Sequence, residues 1–162
     1  MAEPIHIVGA GLAGSLMAVY QAKRGQTVHL WDRRPDLRRN DIPAGRSINL
    51  AISTRGLTAL DRIGMRETIL DQAVRMPGRL IHALDGSTSY QSYGQEGQAI
   101  YSISRRVLNE QLLNAAEQAG AVTHFGETCL DVDLESGALT FSNEMGPHQE
   151  ESGLTIAADG IF

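Results

Sequence analysis

The chain of 162 residues is about the size of one domain, and its 42% hydrophobic and 20% charged content is ordinary for a globular protein. A net charge of −5 argues against a general binder of nucleic acid or anionic membrane, and no apolar run approaches the ~20 residues that a membrane helix needs. The one cysteine, Cys129, excludes an internal disulfide and fits a reducing, cytoplasmic setting, and the N-terminus shows neither the basic region nor the long apolar core of a secretory signal.

Strand and helix patterns alternate along the chain. The apolar run IHIV at 5–8 reads as a strand, and a helix follows at once, with Leu12, Leu16, Val19 and Tyr20 at helical spacing and Gly25 where a helix C-terminal glycine belongs. TVHLWD at 27–32 reads as a second strand, and the arginine-rich stretch 33–46 reads as a loop or short helix. Two short helices are expected around 53–64 and 65–74. Strand character on both sides of Asp85-Gly86, a strong turn pair, predicts a hairpin. The stretch 104–120 is the clearest helix: Ser104 is the expected cap, Leu108, Leu112, Ala115, Ala116 and Ala119 form its stripe, and Gly120 ends it. Three strands follow within 121–142, then a loop over 143–153, and Ile156 and Ala157 read as the tail of a buried strand leading into a turn at Ala158-Asp159-Gly160. The pattern predicts an α/β domain carrying an antiparallel excursion.

The first chemical motif is Gly9-Ala10-Gly11-Leu12-Ala13-Gly14. Alone, a G-x-G-x-x-G match is weak, but here a strand precedes it, a helix opens within it, and a second strand ends in Asp32, 18 residues after Gly14. Gly9 permits the tight turn, Gly11 lets the backbone approach a pyrophosphate, and Gly14 lets the helix lie close to the strand. The free N–H groups and positive dipole end of the helix suit the phosphates. Asp32 is placed to accept hydrogen bonds from an adenosine ribose, and its charge disfavours the 2′-phosphate of NADP at this position. The competing reading is that the glycines only shape a βα turn and that Asp32 is a solvated strand end. The motif leaves FAD and NAD both open.

The segments VGAGLAGSLMAVYQAKRGQTVHLWDRRPD, GRSINLAISTRGLTAL, MPGRLIHALDGS and AIYSISRRVLNEQLLNAAE, in this order over nearly the whole chain, resemble the kynurenine 3-monooxygenases, a family of FAD-dependent aromatic hydroxylases. Gly45-Arg46-Ser47-Ile48-Asn49-Leu50 and Ser102-Ile103-Ser104-Arg105-Arg106 separate this resemblance from generic Rossmann enzymes, and Ala158-Asp159-Gly160 is similar to the Asp-Gly motif of the wider hydroxylase group. The resemblance implies a Rossmann-type FAD-binding domain, truncated relative to the family, with residues 1–162 as its N-terminal part and the downstream flavin and substrate portions absent. The fragment alone is then expected to be inactive.

Carried over residue by residue, the resemblance implies that Gly9, Gly11, Ala13 and Gly14 face the FAD pyrophosphate and that Asp32, where the family often has Glu, takes the ribose, with Arg33 beside it. It implies further that Ala51 lies near the flavin, that Arg105 reaches the phosphate or ribityl region, that Leu130 meets the adenine end through its backbone, and that Asp159 helps to hold the phosphates. Arg79 and Tyr93 match the pair that binds the amino-acid end of the substrate; Pro77 stands where most relatives have Arg. The implied reaction uses NADPH and O₂ to convert L-kynurenine to 3-hydroxykynurenine. Another FAD hydroxylase, an NAD-linked Rossmann oxidoreductase and a non-catalytic nucleotide-binding module are the alternatives. The five histidines are scattered, with no metal-ligand spacing within one element, so core or surface roles are expected for them, and no metal.

Overall fold

The computed structural model describes residues 3–39 and 49–160. Positions 45–48 of the Gly45–Leu50 phrase therefore lie outside the described residues, as do Ile161 and Phe162. In chain order the elements are β1 (Ile5–Val8), α1 (Leu12–Ala22), β2 (Val28–Asp32), β3 (Asn49–Ile52), α2 (Thr54–Arg62), α3 (Arg66–Leu70), β4 (Val74–Met76), β5 (Gly78–His82), β6 (Thr88–Ser92), β7 (Ile100–Ser104), α4 (Arg105–Gln118), β8 (Val122–Phe125), β9 (Thr128–Val132), β10 (Leu139–Asn143), β11 (Gly146–Glu150) and β12 (Leu154–Ala157). The chain divides into two compact units, Met1–Gly45 with Leu108–Phe162 and Arg46–Val107.

The first unit is built on a parallel sheet of order β12-β1-β2-β8. Parallel strands need crossover connections, and α1 supplies the one between β1 and β2, against both of which it packs. Ile5, Ile7, Val28 and Leu30 are buried in register across β1 and β2, and Ala18 and Val19 of α1 and Leu112, Leu113 and Ala116 of α4 are buried too. Trp31 forms a second buried cluster with Leu139 and Phe141, with Val8, Cys129 and Val132 packed against it. Cys129, Val132, Leu139 and Phe141 belong to the antiparallel sheet β11-β10-β9. The mixed α/β expectation, with its antiparallel excursion, is what the fold shows.

The second unit holds the antiparallel sheet β3-β7-β4 and the two-stranded ribbon β5-β6. Its buried side chains are Ile52, Leu57, Leu60, Ile63, Met65, Ile69 and Ile103. The predicted hairpin forms with Arg79 opposite Gln91 and Leu80 opposite Tyr90. Its turn closes where the Gly86 N–H donates to Ala83 O and the Asp85 carboxylate accepts from the Ser87 amide and hydroxyl, with Gly86 at φ 84.

Several expectations change. The second short helix stops at Leu70, and Val74 opens β4, paired with β7. The expected loop after β10 contains β11, because Asn143 and Gly146 close a tight reversal that lets Pro147–Glu150 pair back along β10. Among the described residues β1 alone pairs with β12, which is half-exposed and not buried. Ser104 is the last residue of β7, which runs straight into α4. Three of the five histidines, scattered in sequence, come together in space: His6, His29 and His124 stack across neighbouring parallel strands, with ring centroids 5.0–5.2 Å apart, and Trp31 lies 3.8 Å from His124. In-register parallel strands place like positions side by side, which sequence separation conceals. Among the described residues no group of His, Cys, Asp and Glu could hold a metal ion.

Candidate functional site

The glycine turn lies at the carboxyl ends of β1 and β2. Gly9 has φ 106 and donates its N–H to Trp31 O at 2.7 Å. A Cβ on Gly9 would sit 2.5 Å from the backbone of Ala158 and Asp159, and one on Gly14 would run into the Gly9 carbonyl oxygen. These two glycines are therefore demanded by the packing of β1, α1 and the segment after β12, whose Ala158 N–H donates to Val8 O at 2.7 Å. Gly11 is different. Its φ of −76 suits any residue, and a Cβ there would meet nothing within 4 Å. Neither backbone strain nor packing demands a glycine at this place, beyond the modest preference for glycine at a helix N-cap.

Gly11 is also the N-cap of α1. No side chain caps it, and no acidic residue stands in the first turn. The free amides and the positive end of the helix dipole are thus left for an external anion. Ala13, one residue into α1, is exposed. Asp159 is exposed in the turn that crosses over Gly9, and Gly160 after it has φ 90.

Asp32 is buried at 6% exposure. Its Oδ2 accepts the Ala10 N–H at 2.9 Å and the Arg34 Nη2 at 2.7 Å; its Oδ1 accepts the Arg34 amide at 2.8 Å and Nε at 2.9 Å. Burial pushes this carboxyl up, but the Arg34 hydrogen bonds and charge, with the Ala10 amide, outweigh it and hold it below the usual carboxylate value. Arg33, the residue singled out from the sequence, is exposed; Arg34 is the one on the carboxylate. Arg34 thus covers the Asp32 carboxylate from the solvent side, its own side chain 61% exposed.

Leu130 lies on β9 at a bulge: Thr140 stands opposite Asp131 and Phe141 opposite Cys129, so Leu130 has no residue across from it. Bulges of this kind take a backbone out of its ladder and commonly sit beside ligand sites. Within the second unit, Ala51 is exposed on β3 opposite Ser102, and Arg105 is exposed at the first position of α4. Arg79 on β5 donates its Nε–H to Gln91 Oε1 at 2.7 Å. Tyr93 is 42% exposed just beyond β6, with its amide on Pro77 O at 3.0 Å. The fold brings Gly9, Gly11, Ala13, Gly14, Asp32, Arg33 and Asp159 to one end of the parallel sheet, and Arg79 and Tyr93 to one ribbon.

Sequence reasoning missed two residues that hold the turn from α1 and α4. Ser15 and Asn109 are both buried and polar, and both reach the Ala10 carbonyl, at 3.2 and 3.0 Å. The available signal was Asn109 itself, a polar residue inside the apolar stripe of α4.

The FAD binding domain model matches residues 2–161. The chain belongs to the FAD binding domain family. FAD, not NAD, is accordingly its dinucleotide, and the open approach at Gly11 fits that group. This FAD-binding chain is 44% identical over 160 residues to kynurenine 3-monooxygenase of Flavobacterium johnsoniae, covering 98% of this chain and 35% of that protein. It is 46% identical over 157 residues to kynurenine 3-monooxygenase of Myxococcus xanthus, covering 95% and 34%. The chain thus spans about a third of the length of the curated relatives it matches. Its fold is similar to that of p-nitrophenol 4-monooxygenase PnpA from Pseudomonas putida DLL-E4, with a TM-score of 0.83 at 17% identity over 98% of this chain and 41% of that one. It is similar also to 2-methyl-3-hydroxypyridine-5-carboxylic acid oxygenase, with a TM-score of 0.81 at 21% identity over 99% and 40%. Among the described residues no helix is long and apolar enough to cross a membrane.

Proposed function

We propose that this chain is the N-terminal FAD-binding part of an NADPH-dependent flavin monooxygenase that hydroxylates L-kynurenine to 3-hydroxykynurenine. The observation that carries the reading is the identity to kynurenine 3-monooxygenases over nearly the whole chain, with a glycine turn whose Gly11 position is open to a ligand. FAD held by this chain would supply the redox and oxygen chemistry, with NADPH and O₂ as co-substrates. The chain's own residues bind and orient. Gly9, Gly11, Ala13 and Gly14 present backbone to the pyrophosphate, and Asp159 assists. Asp32 takes the ribose, with Arg33 and Arg34 beside it. Leu130 offers backbone to the adenine, and Ala51 and Arg105 serve the flavin side.

Arg79 and Tyr93 hold the carboxylate end of the substrate. With Nε engaged by Gln91, the Nη1/Nη2 edge of Arg79 remains as a planar pair of donors, which suits two carboxylate oxygens. The kynurenine ring needs no acid from these residues, because its own amino group activates the adjacent carbon. A cytoplasmic setting agrees with the single free cysteine, Cys129. The 162 residues alone are expected to form no product.

The test is expression from the complete reading frame, followed by a flavin absorption spectrum and product analysis with kynurenine, NADPH and O₂. Bound FAD and 3-hydroxykynurenine support the reading. A flavoprotein inert toward kynurenine and active on another aromatic acid moves it to a different hydroxylase, and absence of flavin binding removes it.

A further inference from the structure

We infer that Asn109 and Ser15 are positioning residues that aim the Gly11 N–H at the cofactor's pyrophosphate. The inference rests on the dinucleotide reading of the glycine turn and adds to it which donor meets the phosphate and what holds it there.

The peptide unit joining Ala10 to Gly11 is planar and trans, so its carbonyl and its N–H point in opposite directions. Whatever fixes the Ala10 carbonyl therefore fixes the Gly11 N–H. The Ala10 carbonyl turns inward and accepts two hydrogen bonds, from Asn109 Nδ2 at 3.0 Å and from Ser15 Oγ at 3.2 Å. Both side chains are buried, Ser15 at 0% and Asn109 at 7% exposure. They also face each other, Ser15 Oγ lying 3.4 Å from Asn109 Oδ1. On the other side of the same residue, the Ala10 N–H is held by Asp32 at 2.9 Å. The turn is thus pinned at both polar groups of Ala10, from α1, α4 and β2. The Gly11 N–H is driven to the opposite side of its peptide, at a residue with nothing within 4 Å of the Cβ position.

Burying an amide and a hydroxyl costs free energy unless they are bonded, and replacing Asn109 with leucine would serve the apolar stripe of α4 equally well. What leucine would not do is hold a carbonyl 99 residues away. Pre-setting a donor lowers the ordering cost of binding, so the effect belongs in ligand affinity.

The test uses protein expressed from its complete reading frame and compares Asn109→Ala and Ser15→Ala with the parent. FAD, ADP and adenosine affinities are measured by titration, alongside the thermal midpoint of the ligand-free protein. The expected result is a three- to tenfold weakening for FAD and by a like factor for ADP, which carries the pyrophosphate, with adenosine unchanged. The double variant should lose less than the product of the two single losses, since both residues serve one carbonyl. A lower midpoint with FAD and ADP affinities within twofold of the parent assigns the pair a purely structural role and overturns the inference. Equal weakening of adenosine overturns it as well, because the phosphate contact is then not what was lost. Should Asn109→Ala fail to fold, Ser15→Ala carries the same comparison. If Gly11→Val also leaves FAD affinity intact, the dinucleotide reading itself falls; if it abolishes binding while Ser15→Ala and Asn109→Ala do not weaken it, only the positioning role falls.

Discussion

Two glycines of the same turn should fail in opposite ways. At Gly14 an added methyl meets the Gly9 carbonyl, which is backbone and has no rotamer to escape into, and Ala158 Cβ at 3.3 Å closes the other side. Overpacking typically costs 1–3 kcal/mol, and this site belongs at or beyond the upper end, offset by ~1 kcal/mol of helix propensity gained by alanine. Gly14→Ala is expected to destabilise the ligand-free protein by about 2 kcal/mol, or roughly 4–8 °C for a domain of this size. At Gly11 the backbone is extended and the space is open, so Gly11→Val loses only the N-cap preference, about 1 kcal/mol or less. Its effect falls on the ligand: the branched side chain occupies the space the pyrophosphate needs, and the amide–phosphate hydrogen bond thereby blocked is worth ~1.5–3 kcal/mol, or about ten- to a hundredfold in affinity. Thermal unfolding without ligand and fluorescence titration with FAD separate the two. The reasoning is refuted if Gly11→Val unfolds the protein as much as Gly14→Ala does, or if it leaves FAD affinity unchanged.

Arg79→Ala should weaken kynurenine binding ten- to a hundredfold and spare FAD, from the loss of ~1.5–3 kcal/mol of charge-assisted bonding, and Arg79→Lys should rescue poorly because an ammonium has no planar fork; a normal KM beside weakened flavin retention would reassign the residue. Burial, with His29 and His124 nearby, lowers His6 from 6.5 to about 4, and its Nδ1 accepts the Trp31 N–H. The unfolded chain binds that proton near 6.5 and the native fold refuses it until about 4, so stability is complete above pH 6.5 and falls by about 3 kcal/mol in total toward pH 4. His6→Gln, which keeps an acceptor for Trp31, should make that slope shallower in denaturant titrations; an unaltered slope assigns it elsewhere. Arg38 bridges Asp36 and Glu117 at 2.8 and 2.6 Å and also reaches Asn114, so Arg38→Ala should cost about 2 kcal/mol. Arg38→Lys should recover little of it, and recovery to parent stability in urea unfolding would count against the fork geometry.

What the sequence determined by itself was local and periodic. The strand, glycine turn, helix and strand ending in Asp32 were legible because each rests on backbone rules that act within a few residues, and the family followed from motifs held in order along the chain. The hairpin at Asp85-Gly86 was legible for the same reason. Tertiary structure alone decided how the pieces meet. β11 hid in a polar stretch because an antiparallel partner, not its own propensity, makes it a strand. Arg34 rather than Arg33 took the Asp32 carboxylate because strand alternation and the bend after β2 turn them different ways. The histidines met because parallel strands align residues far apart in sequence. The Ala10 carbonyl found its partners on a helix 99 residues away, and no period or spacing in a chain records a hydrogen bond formed only when two elements pack.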